Sequence, residues 1–170
     1  MVIRIRILIM CCRCLIFDRT RLDSVELYPF KKAVEAGVGG VMIGHLHVSE
    51  LDEKPASISS EVITSLLRKE LHFSGLVFTD ALEMKGISKN ADDLCVQALM
   101  AGNDMLLVPR NLKKSLESVM RAVKSGKLTE DVITEKCRKV LTYKYALGLS
   151  HKQQVAAEGI ENRICSAKSD

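Results

Sequence analysis

Three short apolar runs, each preceded by an amphipathic helical stretch, constrain the fold of this chain more than any other feature. They are Val41-Met42-Ile43-Gly44, Leu76-Val77-Phe78-Thr79 and Met105-Leu106-Leu107-Val108. Their starts lie about 30 residues apart, the length of one strand–helix–strand unit. Continuous apolar strands between amphipathic helices imply a parallel sheet covered on its faces. Phe30, Ala33 and Val34 lie at helical spacing, with Pro29 near the helix start and Gly37 as its stop. A helix capped by Ser59 runs to His72 and turns Val62, Ile63, Leu66 and Leu67 inward. Another runs from about Asp92 to Gly102. Asn111 caps a helix carrying Leu112, Leu116, Val119, Met120 and Val123, closed by Gly126. Thr129 caps the last, which carries Ile133, Cys137, Val140 and Leu141 and closes at Gly148. A doubly wound sheet and a (β/α)8 barrel both use this pattern. A whole barrel takes eight strands and about 250 residues, so three strands in 170 residues predict an α/β fold that is either a doubly wound sheet or a partial (β/α)8 barrel, and that cannot close a barrel alone.

Composition removes several classes of function. Hydrophobic residues make up 47% of the chain, enough for a packed core. The net charge of +4 is spread among interleaved acids and bases, which suits solvated helix faces and argues against a nucleic-acid groove. The six cysteines, Cys11, Cys12, Cys14, Cys95, Cys137 and Cys165, do not provide two C-x-x-C elements, and no histidine is placed to complete a zinc site. No metal or other cofactor is expected. Cys95 and Cys137 fall on apolar helix faces and read as small buried hydrophobes. Arg13 interrupts the apolar N-terminus and no small-residue cleavage site follows, so neither a signal peptide nor a membrane span is expected there. Val2 to Met10 alternates around Arg4 and Arg6, a pattern that suits an edge strand.

In either architecture the chemistry gathers at the carboxyl ends of the strands. His45 follows the first strand, Asp80 the second and Pro109-Arg110 the third. The stretch from Ala81 to Asn90 is long for a strand-to-helix connection, and long connections are often functional. Position alone allows Asp80 to be a catalytic carboxylate held on a rigid strand or an ordinary turn aspartate. His45 and His47 suit substrate binding or the mere end of a strand.

The words of the sequence add to this. They include R-L-D-S-V-E-L-Y-P-F-K-K-A-V-E-A-G-V from Arg21, G-V-M-I-G-H-L from Gly40 and P-A-S-I-S from Pro55. L-L-R-K-E-L-H-F-S-G-L-V-F-T-D-A-L-E-M-K-G follows from Leu66, then A-G-N-D-M-L-L-V-P from Ala101. G-K-L-T-E and K-V-L-T-Y-K-Y-A-L-G-L close the series. Together, in this order, they resemble the C-terminal part of the catalytic barrel of family 3 glycoside hydrolases, in the β-N-acetylhexosaminidase branch. The resemblance covers about three quarters of the chain. It divides the chain into a non-matching segment, 1–16, a barrel part, 17–149, and a polar tail, 150–170.

The resemblance implies that Asp80 is the nucleophile of a retaining β-N-acetylglucosaminidase, attacking the anomeric carbon to form a covalent glycosyl-enzyme. It implies that Met84 and His45 lie near the bound sugar, and that the partner is a glycan or peptidoglycan fragment containing N-acetylglucosamine. A second aspartate often follows the first in this family, and here Ala81 stands in its place. The family's K-H-F-P-G-H-G-type loop, which carries the general acid/base, has no counterpart. His45, His47, His72 and His151 are the chain's histidines, and none has that setting. The chain is therefore expected to be a truncated reading of a longer gene with negligible turnover alone. The competing reading is a non-catalytic α/β remnant that acts by association with another chain, or with itself, through open sheet edges. A phosphoacceptor role for Asp80 fits poorly, because Gly44-His45 and Pro109-Arg110 hold the strand ends where Mg²⁺ ligands and a lysine belong. Neither nucleic acid nor membrane is expected as a partner.

Overall fold

The computed structural model describes residues 14–15, 18–83 and 91–151. Five strands occur among them: β1 (Cys14–Leu15), β2 (Gly40–Ile43), β3 (His47–Val48), β4 (Leu76–Ala81) and β5 (Met105–Leu107). The sheet order is β2-β4-β5 with both pairings parallel, and β1 pairs with β3 in a second, two-stranded parallel ladder. The three apolar runs thus form the parallel sheet expected of them, and it does not close. Val2 to Met10, the suspected edge strand, lies outside the described residues.

Helices cover the sheet. A helical segment at Arg19–Arg21 widens through Leu22–Glu26 and continues as Tyr28–Glu35, with Pro29 in its first turn. Gly37 ends it at φ 74°, in the left-handed region that glycine enters at least cost. The next helix, Glu61–Glu70, is wound wide, with π-type bonds such as Leu71 N–H to Leu66 C=O at 2.9 Å. Ser59 caps it through an Oγ that accepts from Val62 N–H at 3.1 Å. Ile63, Leu66 and Leu67 face inward as their spacing predicts, and Ile63 is fully buried with Val77 of β4. Burying each such side chain contributes about 1.5–3 kcal/mol. Ile63, Leu67 and Val77 form one core cluster with Val41, Ile43, Phe73 and Ala101.

The helices Ala91–Ala101, Leu112–Lys124 and Glu130–Ala146 follow β4 and β5. Asn111 caps the second of these, accepting from Lys114 N–H at 3.0 Å, and Thr129 Oγ1 accepts from Val132 N–H at the start of the third. The face of Leu112–Lys124 differs from the expectation. Ser115, Ser118 and Ala122 are buried, with Val119 and Val123 beside them, while Leu112, Leu116 and Met120 are exposed. Small side chains let this helix lie close over Cys95, Val96 and Leu99, which larger leucines would hold off. Cys95 is buried as expected, but Cys137 is exposed. The chain divides into two units, Met1–Val140 and Leu141–Asp170. The described part of the second holds the last turn of the Glu130–Ala146 helix and a turn at Gly148, φ 72°.

Candidate active site

Asp80 stands next to last in β4, the central strand of the sheet, and is half-buried. Its backbone is tied on both sides. Before it, fully buried Thr79 accepts Leu107 N–H on Oγ1 at 3.0 Å. After it, Leu82 N–H donates to Leu107 C=O at 3.0 Å, and the carbonyl of Ala81 meets His45 Nε2, also at 3.0 Å. The pairing is irregular at this point: Phe78 faces Met105 and Ala81 faces Leu107, so β4 spends one more residue than β5 across the stretch that holds Asp80. Such bulges re-aim a side chain relative to the regular pleat. The Asp80 carboxylate accepts Ala81 N–H on Oδ1 at 2.8 Å, and no other hydrogen bond to it occurs among the described residues.

His45 lies just past the end of β2 and is 4% exposed. Its Nδ1 is 2.6 Å from Ser57 Oγ. A carbonyl only accepts, so Nε2 carries the hydrogen that meets Ala81, and in the neutral ring Nδ1 then accepts a hydrogen bond from the Ser57 hydroxyl. Both ring nitrogens are thereby engaged with protein groups, and the ring links β2, the helical turn Ala56–Ile58 and the residue after Asp80. Ser57 is the member of this group that sequence reasoning missed. It lies in the P-A-S-I-S stretch, but nothing local marks it as the partner of a histidine twelve residues earlier.

At the end of β5, Val108 has φ 41° and is exposed. A β-branched residue in the left-handed region is strained, and strain of this kind gathers at functional loops. Arg110 beyond it is exposed. Met84, expected near a bound sugar, lies outside the described residues.

Residues 14–143 match the glycosyl hydrolase family 3 N-terminal domain. The chain belongs to glycosyl hydrolase family 3. Among solved structures, this family 3 chain resembles the β-N-acetylglucosaminidase from Paenibacillus sp. str. FPU-7, with a TM-score of 0.80 and 35% identity over 86% of this chain and 29% of that one. The β-hexosaminidase of Haemophilus influenzae is 35% identical over 67% of this chain and 33% of its own length. The β-N-acetylglucosaminidase/β-glucosidase of Cellulomonas fimi is 28% identical over 76% of this chain and 25% of its own. The family 3 chain therefore spans no more than about a third of these relatives. Its fold is a partial (β/α)8 barrel, with β2, β4 and β5 as three adjacent staves.

Proposed function

We propose that this chain carries the nucleophile of a retaining β-N-acetylglucosaminidase, and that Asp80 is that nucleophile. The observation that carries the reading is the bulged, doubly tied segment around Asp80 at the carboxyl end of the central strand. A nucleophile must be held within a fraction of an ångström of its line of attack, and a pinned strand end does that better than a free loop. Asp80 attacks the anomeric carbon, the glycosidic C–O bond breaks, and the leaving oxygen takes a proton from a general acid. Water, deprotonated by the same group acting as base, then cleaves the glycosyl ester and frees Asp80. The substrate class is a glycan or peptidoglycan fragment containing N-acetylglucosamine. Met84 contacts the sugar, whereas His45 serves the site by fixing Ala81. Residues 17–149 are the barrel part, and the acid/base group comes from outside it.

The test uses an aryl N-acetylglucosaminide. The chain by itself is expected to turn it over barely above background. Joined to the preceding barrel strands of a family 3 relative, it should become active, and Asp80→Asn should then remove nearly all turnover with the melting temperature unchanged. A folded Asp80→Asn variant that keeps most of its rate would overturn the assignment.

A second reading, a non-catalytic remnant that associates with another chain, rests on the sheet edges. Among the described strands, the outer edges of β2 and β5 have no partner. Beside β2 an apolar cavity of about 220 Å³ opens between Phe30, Val41, Ile43, Leu46 and Leu66.

A further inference from the structure

At the amino-terminal ends of β4 and β5, opposite Asp80, a cavity of about 260 Å³ is lined by Arg68, Asp104, Glu135, Lys136 and Lys139 among others. Asp104 organises it. Its side chain is 6% exposed, and its Oδ2 accepts from Arg68 Nη2 at 2.6 Å, Val77 N–H at 2.8 Å and Lys139 Nζ at 3.2 Å. Arg68 is anchored, because Nη1 also donates to the carbonyls of Phe73 and Gly75. The lysines are held by fewer bonds. Lys136 Nζ donates to the Asn103 carbonyl at 2.7 Å, and among the described residues no carboxylate lies within ion-pair distance of it. Lys139 spends one N–H on an Asp104 oxygen that already serves two other donors.

Lys136 and Lys139 are three apart on the Glu130–Ala146 helix, so they share a face and repel each other. Burial holds both amines below the usual lysine range, and the nearby Asp104 carboxylate only partly offsets it. Three cations thus line a cavity in which the acids are Asp104, already saturated on Oδ2, and the exposed Glu135. Two ammonium groups with N–H to spare on the wall of a cavity are the fixed donors that a small oxyanion needs.

We propose that this cavity binds a phosphate-type oxyanion between Lys136 and Lys139, on a scaffold made by the Arg68–Asp104 pair. The anion takes the unused N–H donors of both lysines and cancels their mutual repulsion. The site is separate from Asp80 and does not depend on any glycosidase activity.

Inorganic phosphate is the probe, titrated at constant ionic strength against chloride. The melting temperature of the chain is expected to rise by a few degrees and then saturate, as binding to the folded state alone requires. Chloride should produce no such plateau. Lys136→Met and Lys139→Met, which keep the apolar stems, should each lose the saturable rise, whereas Lys136→Arg should keep it. Labelling of the unaltered chain with acetic anhydride gives a readout that no variant's folding can obscure. Phosphate should protect Lys136 and Lys139 and leave exposed Lys124 unprotected. Glycerol 3-phosphate binding equally well would assign the site to phosphomonoesters, and binding of inorganic phosphate alone would assign it to the free ion. Equal behaviour in phosphate and chloride, or equal labelling of the three lysines with and without phosphate, would overturn the proposal.

Discussion

Asp52 links the loop after β3 to the helix that follows, through a short chain of hydrogen bonds. Val62 N–H donates to Ser59 Oγ, and Ser59 Oγ–H donates in turn to Asp52 Oδ2 at 2.6 Å, while Lys54 N–H reaches Oδ1 at 3.1 Å. The Ser59 hydroxyl is the largest cause that holds the Asp52 carboxyl below its usual range. A depressed carboxyl favours the fold while ionised, so its contribution is complete above the unfolded aspartate value of about 3.9 and is lost as pH falls through the lower folded value. Unfolding of the parent and Asp52→Asn chains by urea should therefore show the parent more stable at neutral pH, with the gap closing below about pH 4. Partly exposed Asp23 is also depressed, chiefly by Arg19, but it is common to both chains and cancels in the difference. A gap that does not change between pH 7 and pH 3 would count against this role.

At the scale of elements, the Leu112–Lys124 helix shows how a face is chosen. Its leucines and Met120 repeat at i, i+4 and i+8, a spacing that favours an inward stripe, yet they face outward. The inward positions belong to Ser115, Ser118 and Ala122, because the close approach of the Ala91–Ala101 helix leaves room for little else. Leu116→Gln should therefore change stability by no more than about 0.5 kcal/mol, as surface substitutions do. Ala122→Leu should destabilise by about 1–3 kcal/mol through overpacking. Denaturant midpoints for the two variants decide it, and the reverse ranking would return the leucine stripe to the core.

At the scale of the whole molecule, the described residues carry three adjacent barrel staves whose two outer edges have no partner among the described strands. Unpaired parallel edges present rows of N–H and C=O groups that recruit further strands, and the apolar cavity beside β2 adds hydrophobic surface to one of them. The chain is expected to self-associate, with a mass that climbs with concentration in sedimentation. One unchanging mass across a hundredfold range of concentration would refute this. If Asp80 is the nucleophile proposed above, its own neighbours hold it on β4, and turnover requires a general acid/base group in addition.

Much of this protein was legible in its sequence because the signals are local. Four-residue apolar runs mark β2, β4 and β5, and Ser59, Asn111, Thr129 and Gly37 mark helix ends within one turn of themselves. The position of Asp80 at the end of β4 followed from the same pattern, and its motif from the family's words. Only the tertiary structure decided the rest. The Ser57–His45–Ala81 link joins groups 12 and 36 residues apart, and Asp104 gathers Arg68 and Lys139 from 36 and 35 residues away. The bulge at Asp80 arises in pairing with β5, and the turn of the Leu112–Lys124 helix is set by how closely its neighbour lies. Periodicity records which residues avoid water, but it does not record which distant backbone each will meet. That is settled when the strands come into register and the helices close over them.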